Sequence, residues 1–197
     1  MPSEPKFHVE VCAFRPYALA ACDYSGKIGD TRGDACVWLC VPLRDGGAPD
    51  EASMPWFFCW RIPHAHAVRI MLADDGANTG THGGMPDRAL MLSTHRTEDV
   101  FLKHPTHSRR PVACYRLGWF SVEQRAGLQM VAHDALSKTE AVVVDSSYWV
   151  REVFEGIASK GWVNRDVLKD IRRAAQDQNY RQSKELKAAE NVYRLSD

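Results

Sequence analysis

Between Phe7 and Phe14 apolar and polar side chains alternate with the two-residue period of a half-buried strand. Ala35 to Leu43 (ACVWLCVPL) is instead a continuous apolar run of strand length. Trp56 to Trp60 is aromatic and apolar, Pro63 interrupts the run, and Ala67 to Leu72 resumes it until Asp74-Asp75-Gly76 marks a turn. Ala89 to Thr94 and Pro111 to Trp119 bring the set to five or six strands. Their connections look too short for helical crossovers, which predicts antiparallel pairing. Arg44 to Ser53 (RDGGAPDEAS) reads as a polar turn or loop inside one domain rather than as a boundary.

The period changes at Ser121. Ser121 with Gln124 is a capping-box start, and Val122, Leu128, Val131, Ala132 and Ala135 fall roughly on one helical face. A second helix begins near Ser146. Its stripe of Trp149, Val150, Val153, Phe154, Ile157 and Ala158 must face the sheet, and Gly161 stops it. Asn164 can cap a third helix carrying Val167, Leu168 and Ile171. Gln176 to Asp197 is mostly charged, a polar C-terminal helix or tail with Leu186, Ala189 and Tyr193 as a thin apolar seam. The expected class is therefore α+β: an antiparallel sheet of five or six strands followed by two or three helices packed on it, all in one domain over residues 1–197.

Charge narrows the partners. The 25 basic and 25 acidic side chains cancel and are interspersed, unlike the basic patches of nucleic-acid or anionic-membrane binders. Met1 to Lys6 contains no apolar leader core, and no stretch approaches the roughly 18 apolar residues of a membrane span. These features point to a cytoplasmic protein whose partner is a small apolar molecule, with neither nucleic acid nor membrane, and they leave a homodimer open. The six cysteines (Cys12, Cys22, Cys36, Cys40, Cys59 and Cys114) form no CxxC pair and sit mostly in apolar runs, where a reduced thiol packs as a small hydrophobe. No cofactor and no structural metal is implied.

Two segments carry candidate chemistry. His64 and His66, at i and i+2, would share a face if they lay on a strand and could then ligate one metal, with His82, His95, His104 or His107 completing the site. Cupin-type barrels open their metal motif in this way but add a carboxylate a few residues on, where this chain has Val68, Arg69, Ile70 and Met71. The alternative is that Pro63 ends a strand and the pair lies on a loop. The second segment is the helix start Asp145-Ser146-Ser147-Tyr148-Trp149-Val150. A nucleophile in a first helical turn gains from the dipole and the free N–H groups, although serine there is also the ordinary cap.

Ser146 to Val163 (SSYWVREVFEGIASKGWV) resembles the helix of a fungal family of unknown function whose pattern is Gly-Cys-Arg-Tyr-Trp-Val. That helix is similar in turn to the Asn-Cys helix of permuted papain-like proteins, the lecithin:retinol acyltransferase and NlpC/P60 class, in which a histidine on an early strand activates the cysteine. The resemblance implies a permuted papain-like fold with Ser146 in the place of the cysteine. For the histidine it offers two placements. Either Asp34-Ala35-Cys36 occupies the Asn-His-Trp position and the histidine has become Ala35, or His66 is the histidine itself.

With Ala35 and Ser146 at those places, thiol acyl chemistry is lost and a repurposed pocket remains. The resemblance then implies a cyclase or isomerase of fungal secondary metabolism. Its catalytic candidates are His66, Ser146 and Tyr148, and Trp38, Trp60, Arg69 and Trp149 line the substrate pocket. The alternatives are a serine hydrolase or acyltransferase using Ser146 or Ser147 with His66, and a non-catalytic interaction protein that binds through its C-terminal helix.

Overall fold

The structure is a computed structural model that describes residues 8–14, 23–43, 55–74, 89–102, 110–138 and 146–177. All six expected strands are present: β1 (Val9–Phe14), β2 (Ala35–Pro42), β3 (Phe57–Ile62), β4 (Ala67–Asp74), β5 (Ala89–Arg96) and β7 (Arg110–Phe120). A two-residue strand, β6 (Phe101–Leu102), brings the sheet to seven strands in the order β5-β4-β3-β2-β7-β1-β6, with every pairing antiparallel. The chain is thus α+β, with β7 inserted between β1 and β2.

The sheet is not flat. Its two edge strands, β5 and β6, are joined by a single helical turn, α1 (Thr97–Val100). Phe14 of β1 and Phe57 of β3 have ring centroids 4.9 Å apart, whereas three strand spacings in a flat sheet would separate their backbones by roughly 14 Å. Arg96 pairs with Ala67 beside the β3–β4 turn, while Phe101 pairs with Phe14 at the far end of β1. The sheet curls toward a barrel: among the described residues its edge strands β5 and β6 are not paired but are bridged by α1, and Val100 is buried in the inner core.

Alternation then assigns the faces. Phe14, Cys40, Phe57, Cys59, Val68, Ile70, Leu72, Val112 and Cys114 point inward and form one core with Val100. Val37, Leu39, Val41, Phe58, Trp60, Met71, Ala113 and Tyr115 point outward and form a second core with the helices. Both faces of β2 are buried, which is why its sequence is apolar throughout.

Helix α2 (Val122–Ser137) begins with the expected capping box: the Gln124 amide donates to Ser121 Oγ at 3.3 Å, and the Ser121 amide donates to Gln124 Oε1 at 2.9 Å. Leu128, Val131, Ala132 and Ala135 are buried as expected, but Val122, before the helical stripe settles, is 37% exposed. Helix α3 (Ser146–Ser159) buries Trp149, Val150, Val153, Phe154 and Ile157. It ends at Gly161, whose φ of 70° is the left-handed conformation of a helix stop. A third helix, α4, covers 165–177 in the described part, and Asn164 Oδ1 caps it by accepting from the Asp166 amide at 2.8 Å. The tail beyond 177 and the loop Arg44 to Ser53 lie outside the described residues.

Candidate functional site

The expected site residues are dispersed. Pro63–Ala65 form a single 3-10 turn followed by His66 with φ 47°, so His64 and His66 lie on an exposed turn and not on one face of a strand. The proline, which lacks an N–H and fixes φ, ends β3 and removes the metal geometry. His82, His104 and His107 lie outside the described residues. Among those described, no group of three or more His, Cys, Asp or Glu side chains converges as a metal site would. Ser146 and Ser147 do open α3, yet among the described residues no hydrogen bond joins either of them to His66. Ala35 is buried at the start of β2, opposite Phe120.

The pocket expected between the helix start and the sheet is not formed as one space. Trp149 is fully buried, stands edge-on to Phe58 at 5.5 Å and donates its indole N–H to the Ala132 carbonyl at 3.0 Å. Tyr148 is a surface residue with the Arg151 guanidinium 4.2 Å above its ring. Trp60 and Arg69 are cross-strand neighbours on the outer face, whereas Trp38 points inward, because residues one step apart on a strand face opposite ways.

Trp60 belongs to a buried polar cluster that has no signature in the sequence. Its indole N–H donates to Asp30 Oδ1 at 3.0 Å. Asp30 Oδ2 accepts from Nε of Arg125 at 3.0 Å, and Arg125 is fully buried. The same guanidinium donates to the carbonyls of Thr31 at 2.6 Å, Gly33 at 3.0 Å and Phe120 at 2.7 Å. A buried guanidinium is tolerable only with its donors matched in this way. The cluster ties the segment before β2 to the start of α2, and its internal saturation leaves little for a ligand. Beside it the buried Arg69 Nε has no hydrogen-bond partner among the described residues.

The inner face holds a different constellation. Cys36, Trp38 and Cys40 of β2, Cys59 and Arg61 of β3, Cys114 and Arg116 of β7, and Glu10 and Cys12 of β1 all point inward by alternation from the inner core. His8 precedes β1; its Nε2 lies 2.9 Å from Glu10 Oε1, and its ring stands edge-on to Trp38 at 5.9 Å. The Arg116 amide donates to the His8 carbonyl at 3.0 Å, which fixes the His8 backbone beside β7. His8, Glu10, Arg61 and Arg116 are exposed and Cys36 and Trp38 half-buried, so they form the mouth of the barrel. Burial pushes the Cys36 thiol above its ordinary value, with Arg116 acting against it. Deeper inside, His95 and Ser93 of β5 are buried and joined at 2.8 Å.

Below the mouth the thiols form a ladder across four adjacent strands. Cys12 lies diagonally beside Cys114 on the neighbouring strand, Cys114 Sγ lies 3.4 Å from Cys40 Sγ, and Cys40 Sγ lies 3.5 Å from Cys59 Sγ. All are free thiols, as is Cys36; Cys22 lies outside the described residues. From the sequence the cysteines read as reduced core residues in apolar runs. Their shared parity on β2, with Cys36, Trp38 and Cys40 two residues apart, was the signal available, but pairing across strands supplies the rest. No family model, curated protein or solved structure matches the chain.

Proposed function

We propose that the chain is a cytoplasmic small-molecule biosynthetic enzyme, a cyclase or isomerase that transfers protons at the mouth of the barrel without thiol acyl chemistry. One observation carries the reading: the His8–Glu10 pair at 2.9 Å, set edge-on against Trp38 on an open inward face. A carboxylate bonded to an imidazole orients its ring for general acid–base work. Trp38 would offer an apolar wall to a small apolar molecule. Arg61 and Arg116 on the same face supply positive charge for the oxyanion that develops when a proton leaves the carbon beside a carbonyl.

The substrate is therefore a small, mainly apolar molecule with an enolisable carbonyl. His8 would take the α-proton and return it at another position, which for an isomerisation leaves no net change in atoms. Binding tests the location. In NMR spectra of isotope-labelled protein, adding apolar ketones should shift the His8 ring, the Trp38 indole and the Cys36 amide before other signals. Shifts confined to the helical surface would overturn the assignment.

A further inference from the structure

The thiol ladder is unused by the proton-transfer reading and has a chemistry of its own. Cys40 and Cys114 are directly opposed on antiparallel β2 and β7, a position where backbones lie about 4.5–5.5 Å apart. That separation falls inside the range a disulfide spans. Their sulfurs are already 3.4 Å apart, so side-chain rotation closes the bond without moving either strand. Cys12–Cys114 and Cys40–Cys59 are diagonal contacts by register, and for them the backbone is less well placed.

We propose that Cys40 and Cys114 are a reversible oxidation site, at which hydrogen peroxide converts the two opposed thiols into a β2–β7 cross-strand disulfide. The balance is simple. The Cys114 thiolate attacks one peroxide oxygen, the O–O bond breaks and hydroxide leaves, giving a sulfenic acid. The Cys40 sulfur then attacks the Cys114 sulfur, the S–O bond breaks, and water departs with the Cys40 proton. Two thiols lose two electrons in all, and one peroxide becomes two waters.

Cys114 is the attacking sulfur because it stands opposite Cys40 and beside Cys12, and the neighbouring thiols of Cys12 and then Cys40 lower its pKa against the opposing effect of burial. Cys40 is pushed up by burial and by its thiol neighbours, so it remains the protonated partner. The half-buried Cys12 and Cys36 mark the route by which a small peroxide reaches them.

The test uses the full chain, purified reduced, exposed to hydrogen peroxide, alkylated and mapped by mass spectrometry without reduction. A Cys40–Cys114 linked peptide pair, removed by dithiothreitol, is the expected result. Cys36→Ser should leave the link intact, and Cys114→Ala should slow loss of the Cys40 thiol by about tenfold or more. Should the second variant fail to fold, the wild-type map decides. Cys40 and Cys114 both remaining alkylatable would overturn the proposal. So would a link that joins other cysteines or two chains.

Discussion

At the residue scale, the least legible feature is Arg125. It falls on the buried side of α2 yet is charged, and nothing in its neighbourhood along the chain announces Asp30, 95 positions away. Removing one partner of such a pair leaves a buried charge unmatched. Asp30→Ala should therefore destabilise the protein by about 3–5 kcal/mol, measured by denaturant unfolding. Arg125→Met in the same background should recover part of that loss, since the stranded charge is then gone; a double mutant no more stable than Asp30→Ala alone would contradict this role.

Asp23 anchors the same segment at its other end, accepting from the amides of Ser25 at 2.9 Å and Thr94 at 2.8 Å. Burial raises its pKa, but these bonds and that of the Ser25 hydroxyl outweigh burial and leave it below 3.8. A lowered carboxyl pKa stabilises the fold fully above the unfolded value and loses that contribution as pH falls through the folded one. Exchange of the Thr94 amide should thus accelerate, relative to the inner strands, only below about pH 4. Acceleration already at neutral pH would show that Asp23 does not hold the segment.

At the element scale, α2 and α3 meet at Gly156, where an added Cβ would collide with Val131 Cγ1. Alanine gains about 1 kcal/mol in helix propensity over glycine. Overpacking costs about 1–3 kcal/mol, and the β-branched Val131 has little freedom to rotate away. Gly156→Ala should be destabilising in net, and Val131→Ala in that background should restore most of the loss; a stabilised single variant would show that the helices can part freely. Helix starts and stops were readable because they are local: Ser121, Gly161 and Asn164 act within one turn of themselves. Strand existence was equally readable. Strand order was not, because both faces of β2 are buried and its apolar run carries no alternation to say which side meets the helices.

At the scale of the whole molecule, the curl of the sheet separates the residues that sequence grouped together. Trp38 turns inward while Trp60 and Trp149 are packed into the helical side, so three tryptophans expected in one pocket serve two cores. The curl is bridged at its edges by a one-turn helix, α1, that no pattern in Thr97–Val100 announces. It also brings His8, Cys36, Arg61 and Arg116 to one mouth from four stretches of the chain. Among the described residues no helix is long and apolar enough to cross a membrane, and the charged positions lie mainly on exposed faces.

Proton transfer at the barrel mouth is read directly as hydrogen exchange at carbon. Incubated in heavy water with a panel of apolar ketones, the wild-type chain should catalyse deuterium incorporation beside the carbonyl of at least one of them. His8→Gln, at a half-exposed position that leaves the fold intact, should lower that rate by about 100-fold or more. Exchange that is absent across the panel, or unchanged in His8→Gln, would contradict proton transfer at the barrel mouth.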